Sequence, residues 1–132
     1  MQNLVTRKAW GARAPTSRTL LEPEAVRNLV VHYSASNADE QADHRSCAAR
    51  VRGIQRFHMN TRGWADIAYS WVFCKHGYIF RGRGWQVRTA ATGPANGFTL
   101  AACFLGADTI GRDDGTPAGL AALQPTPEEK DV

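Results

Sequence analysis

Two short runs of strand-forming residues, Asn28-Leu29-Val30-Val31-His32-Tyr33 and Thr99 to Leu105, stand on either side of one segment with helical periodicity. In that segment, from Asp43 to about Asn60, the apolar positions are Cys47, Val51, Ile54 and His58, at spacings of four, three and four. Such spacing lines up one face of an amphipathic helix. Arg45, Arg52 and Arg56 fall on the other side and read as a solvated face. Thr61-Arg62-Gly63 ends the helix, with Gly63 suited to the left-handed conformation that helix ends favour. A helix set between strands points away from all-helical and all-strand folds. The class is α/β, a central mixed β-sheet flanked by helices.

Both strand runs read as buried, because their β-branched and apolar residues are bounded by polar ones. Between the helix and the second run lies a hairpin, with Ile67 to Cys74 as its first strand, Lys75-His76-Gly77 as its turn and Tyr78 to Arg81 as its return. Trp10-Gly11-Ala12-Arg13-Ala14-Pro15 reads as a loop-rich N-terminal strap, and Ser34 to Asp43 as a polar connector. Gly82-Arg83-Gly84-Trp85 leads into an irregular stretch through Thr92-Gly93-Pro94. Asp113-Asp114-Gly115 is a turn, after which Thr116 and Pro117 cap and open a short helix, Ala118 to Gln124. Residues 1–124 form one domain and 125–132 a loose tail.

At 132 residues with 43% hydrophobic and 21% charged side chains, the chain is neither disordered nor multidomain. No apolar stretch approaches about 18 residues, so no membrane insertion is expected. The first eight residues carry no apolar core behind their charges, so synthesis in the cytoplasm without a signal peptide is expected. The net charge of +4 favours polyanions of any kind, but the arginines are scattered and no recognition helix or zinc-finger pattern is present. No nucleic-acid partner is expected. Cys47, Cys74 and Cys103 are widely spaced and contain no CxxC, which argues against a disulfide framework or an all-cysteine zinc site. Cys103, inside an apolar run, reads as a small buried hydrophobe.

Of the four histidines, His32 closes a buried strand beside Tyr33 and Ser34, where α/β sheets present functional groups. A structural role and a ligand role are both open to it. His58, on the apolar helix face, reads as a hydrogen-bonded core residue. His76 in the turn and His44 at the helix entry read as solvent-exposed. No nucleophile elbow, P-loop or HExxH is present, and Gly82-Arg83-Gly84 lacks the third glycine of a dinucleotide loop. Asp108 through Gly115 matches a calcium loop only in composition, with no glutamate at its last position.

Six segments in order carry a resemblance. They are Thr6-Arg7-Lys8-Ala9-Trp10-Gly11-Ala12-Arg13, Val30-Val31-His32-Tyr33-Ser34-Ala35, Ile54-Gln55-Arg56-Phe57-His58-Met59, Arg62-Gly63-Trp64-Ala65-Asp66-Ile67-Ala68-Tyr69, Gly77-Tyr78-Ile79-Phe80-Arg81-Gly82-Arg83-Gly84-Trp85 and Thr92-Gly93-Pro94. Together they resemble the peptidoglycan recognition protein and type 2 N-acetylmuramoyl-L-alanine amidase family, T7-type phage lysozymes included, over about residues 5 to 124. The resemblance implies a central mixed sheet flanked by helices, and hydrolysis of the amide between the muramic acid lactyl group and L-alanine of the stem peptide. It implies a Zn2+ cofactor, since zinc lowers the pKa of a bound water and polarises the scissile carbonyl. His32 matches the first zinc ligand. Tyr69 matches a tyrosine that assists the metal-bound water or the developing oxyanion, with a plain core role as the alternative. Gly63, Trp64 and Arg83 match the signature for diaminopimelate-type stem peptides, since a guanidinium can fork onto the extra carboxylate. Tyr33 and Thr92, within the second and last of these segments, complete the expected substrate contacts.

The sequence also departs from that pattern. The catalytic members carry a second histidine and a cysteine or aspartate in a later segment, whereas here no histidine follows His76 and no cysteine follows Cys103. Ala91 stands where a histidine usually precedes Thr-Gly-Pro. The expected domain is therefore C-terminally truncated relative to the family. Three readings follow: an amidase-type enzyme of cell-wall catabolism, a non-catalytic module that binds the stem peptide, and a phage structural or regulatory protein with a phage or host protein partner. The resemblance favours the enzyme class, an amidase of the N-acetylmuramoyl-L-alanine type. Without a signal peptide, the expected place of action is the cell wall after phage lysis, or aboard a virion.

Overall fold

The computed structural model of the chain describes residues 3–34 and 44–106. Its centre is a five-stranded mixed sheet in the order β1-β4-β3-β5-β2. The strands are β1 (Leu4–Val5), β2 (Asn28–Tyr33), β3 (Trp71–Phe73), β4 (Ile79–Arg81) and β5 (Thr99–Phe104). β3 and β4 are antiparallel, as a short turn requires, and the remaining pairings are parallel.

Helix α2 (His44–Arg56) covers one face of this sheet. Its period brings Cys47 and Val51, both fully buried, into one core with Val72, Phe80, Cys103 and Leu105. A short α1 (Arg7–Trp10), capped by the Thr6 hydroxyl, delivers Trp10 to the same core. The Trp10 indole donates to the Arg81 carbonyl at 2.9 Å, so its one polar atom is satisfied. The helical turn leads into the N-terminal strap, which beyond Trp10 is free of helix and strand as expected.

Three expectations are corrected. Asn28–Tyr33 is a strand but not a buried one: among the described residues it is the sheet edge, with Leu29 and Val31 59% and 63% exposed. Strand-forming residues signal a strand, whereas edge or centre is decided by long-range pairing. Arg52 is no solvated residue, since its guanidinium donates to the Trp10 carbonyl at 2.9 Å and ties α2 to the strap. The hairpin is also shorter than its apolar run, with three residues per strand, because on the β4 side the chain before β3 bonds to the loop after β4 instead of to β4 itself. There Gly82 and Gly84 both donate to the Ser70 carbonyl, at 2.9 and 3.1 Å.

Helix α2 ends as the sequence indicates but through a wider turn. Phe57–Thr61 is a π-helical turn, and Gly63 follows with φ +73°. The expected turn at Asp113–Gly115, the helix Ala118 to Gln124, the tail and all of the connector but Ser34 lie outside the described residues.

One element of the interior had no sequence signature. Asp66, nearly buried, pairs with Arg7 at 2.9 Å and accepts from Gln55 Nε2 and from the Ile67 amide, each at 2.8 Å. Gln55 exchanges a further pair of hydrogen bonds with the Arg13 backbone, at 2.9 Å each. Strap, helix and pre-β3 segment are locked together through this one carboxylate.

Candidate functional site

The alternation of β2 turns His32 toward the α2 side of the sheet, and Tyr33 toward the opposite face. His32 meets Tyr69, which precedes β3, at a ring-centroid distance of 5.7 Å. Tyr69 in turn lies 5.6 Å from His58, and His58 lies 4.9 Å from Trp64. These rings wall a cavity of about 230 Å³ that Arg62, Ala90 and Ala91 also line. It shares Phe57, His58 and Tyr69 with a larger cavity of about 500 Å³ running along α2 past Arg50, Gly53 and Arg56. The π-helical turn produces this arrangement. Its wider spacing leaves Phe57 exposed at the groove while His58 stays buried, a displacement typical of π-bulges at functional sites.

His58 is the core histidine that the helix spacing indicates. Its Nδ1 accepts from the Ala68 amide at 3.0 Å. Burial, helped by the nearby Arg83 and Arg62, lowers its pKa to about 4 and keeps the ring neutral. Tyr69 is pushed well above the usual phenol range, first by burial and then by Cys103 beside it. It therefore remains a hydrogen-bond donor at neutral pH. Cys103 is fully buried, as expected, and burial pushes its thiol up to about 12. His32 differs from these neighbours: its Nε2 is buried and, among the described residues, has no hydrogen-bond partner.

The remaining expected contacts are spread more widely. Trp64 lines the groove, and Arg62 stacks over both Trp64 and Phe57, with its guanidinium carbon 5.8 and 5.4 Å from the ring centroids. Gly63 is exposed, with open space where a Cβ would point. Arg83 lies in a neighbouring cavity with Arg7 and Asp66, and donates to the carbonyls of Ile67, Arg88 and Asp66 at 2.6, 3.0 and 3.3 Å. The Thr92 hydroxyl donates to Asn96 Oδ1 at 2.8 Å. The structure thus brings His32, Trp64 and Tyr69 together, and sets Arg83, Thr92 and Tyr33 apart from them.

Catalytic zinc requires about three protein ligands. Among the described residues no two further histidine, cysteine or carboxylate groups converge with His32. The described groove alone therefore makes no zinc site, and no zinc-borne step is assigned to it.

A different cluster does converge. Cys47 at the start of α2, Cys74 after β3 and His76 in the β3–β4 turn place their ligand atoms within 4.8 Å of one another. Cys47 Sγ is 3.3 Å from His76 Nδ1. His76 is therefore no free turn histidine, a correction that a span of 29 positions between the two residues hides from the sequence. The Cys74 thiol is drawn down from its ordinary value, chiefly by hydrogen bonding with Cys47 and against its own burial.

No profile of a known protein family matches the chain. Individual proteins do. The chain is 33% identical over 103 residues to peptidoglycan-recognition protein SC2 of Drosophila simulans, covering 78% of this chain and 54% of that protein. It is 40% identical over 77 residues to a human N-acetylmuramoyl-L-alanine amidase, covering 58% of this chain and 13% of that protein. The chain thus spans about half the length, or less, of the curated relatives it matches. Among solved structures it superposes on peptidoglycan recognition protein-LE in complex with tracheal cytotoxin, a monomeric diaminopimelic acid-type peptidoglycan. The TM-score is 0.80 at 26% identity, covering 99% of this chain and 69% of that one. Drosophila PGRP-LB, as a Y78F mutant with the same ligand, gives the same score, identity and coverage. By its sequence relatives and its shared mixed sheet, the chain belongs to the peptidoglycan-recognition and type 2 N-acetylmuramoyl-L-alanine amidase family.

Proposed function

We propose that this domain binds peptidoglycan, seating a stem peptide of the diaminopimelate type in the groove walled by Trp64, Tyr69 and the end of α2. The observation that carries the reading is the buried, unpartnered Nε2 of His32 in that groove. A buried polar atom left unsatisfied costs about 1–3 kcal/mol, and a polar group on a bound ligand removes that cost. The lining suits such a ligand. Arg50, Arg56 and Arg62 contribute positive charge, among the described residues no acidic one lines either cavity, and Phe57 and Trp64 offer flat apolar surface. The solved neighbour in complex with a diaminopimelic acid-type fragment supports the same substrate class. Arg83, whose guanidinium donates to three carbonyls in the neighbouring cavity, and Thr92 stay outside the groove in this reading.

Amidase chemistry is the second reading, favoured by Tyr69. A phenol that stays protonated at neutral pH can donate to the scissile carbonyl and to the oxyanion that forms from it. Hydrolysis then needs a group beyond the described residues to activate water.

The test is co-sedimentation of the chain with purified sacculi of the diaminopimelate and lysine types, with released muropeptides read by mass spectrometry. Binding that favours diaminopimelate sacculi and falls at least about tenfold with Trp64→Ala supports the recognition reading. Absence of binding to either wall overturns it. Release that stops with Tyr69→Phe while binding persists establishes the amidase reading.

A further inference from the structure

The Cys47, Cys74 and His76 cluster has no part in the groove. His58, the α2-side residue of the groove, is eleven positions beyond Cys47, about 16 Å along the chain at helical rise. Cys47 and Cys74 are fully buried and neither is in a disulfide, while His76 is half-buried in its turn. With Zn–S near 2.3 Å and Zn–N near 2.0–2.1 Å, ligands of one tetrahedral zinc stand about 3.5–3.8 Å apart. The 3.3 Å between Cys47 Sγ and His76 Nδ1, and the 4.8 Å limit on all three atoms, bracket that spacing. Shifts of no more than about 1 Å would seat an ion.

We propose that Cys47, Cys74 and His76 hold a zinc ion that fastens the start of α2 to the β3–β4 hairpin. On binding, zinc displaces the two thiol protons to solvent and takes the lone pair of neutral Nδ1. Water fills the fourth position from the exposed side of His76. Two sulfurs and an imidazole select zinc over magnesium or calcium, which take oxygen ligands. The site draws nothing from His32 and stands whether or not the groove binds a cell wall.

The test uses the full chain, purified with reductant and stripped by a chelator, then titrated with zinc alone against a chromophoric competitor. One zinc per chain is expected, and cobalt in its place should show thiolate-to-metal charge-transfer absorption. His76→Ala, a change in a half-buried turn that leaves the core intact, should weaken zinc binding by more than about 100-fold, beyond what loss of an outer-shell partner costs. Cys74→Ala should abolish the cobalt band, and His32→Ala should change neither readout. The proposal is overturned if the reduced chain takes up no zinc, including the case where Cys47 and Cys74 form a disulfide instead. It is equally overturned if uptake survives both His76→Ala and Cys74→Ala, or is lost with His32→Ala alone. Sacculus co-sedimentation is independent of every one of these readouts.

Discussion

His58 is held neutral by burial and by Arg83 and Arg62, with its pKa lowered from 6.5 to about 4. The unfolded chain takes up that proton first as pH falls, so the native state loses stability between about pH 6.5 and 4, and the loss is complete below both values. At 1.36 kcal/mol per pKa unit the whole effect is about 3 kcal/mol. Urea unfolding across that window should show the decline, and His58→Gln, which keeps an acceptor for the Ala68 amide, should flatten it. Asp66 makes a second residue-scale case. Removing one partner of a nearly buried ion pair costs about 3–5 kcal/mol, so Asp66→Ala should lower the urea midpoint sharply, with the m-value unchanged. His58 was legible in the sequence because its role follows from spacing along one helix. Asp66 was not, since Arg7 and Gln55 reach it from 59 and 11 positions away.

Two glycines show how the elements constrain substitution. Gly53 lies inside α2, where an added Cβ would meet only the Arg56 side chain, at an ordinary 3.7 Å. Gly53→Ala should therefore stabilise the protein by about 0.5–1 kcal/mol, read as a rise in Tm. At Gly82 an added Cβ would run into the Tyr69 carbonyl, which is backbone and cannot step aside. Gly82→Ala should cost about 3 kcal/mol or more by overpacking, and should displace Tyr69 and so weaken sacculus binding more than Gly53→Ala does. Local pattern revealed α2, the hairpin, β2 and β5, but not the two-residue β1, because periodicity and turn residues act over a few positions. It could not reveal that the loop after β4 lies backbone to backbone on Tyr69 and Ser70, a contact that leaves no trace in residue type except the glycine itself.

For the whole molecule, the class and the mixed sheet followed from element order, while strand order did not. Among the described residues β2 pairs only with β5, about 70 positions away, and nothing in Leu29-Val30-Val31 distinguishes an edge from a centre. The groove was legible to the same degree: His32, Trp64 and Tyr69 converge as the motif order implies, whereas the thiol–imidazole cluster depended on a helix start meeting a hairpin turn. The edge position of β2 has a kinetic consequence. Among the described residues His32 is carried by a strand hydrogen-bonded on one side only, so β2 can peel from β5 while the core of α2, β3 and β4 stays closed. Its amides should then exchange with deuterium by a sub-global opening, well ahead of those of β3. A wall fragment that engages His32 must suppress that opening, slowing exchange at Val30–His32 by the factor by which the fragment exceeds its Kd. Deuterium uptake of this strand would thus report occupancy of the groove without any reaction taking place.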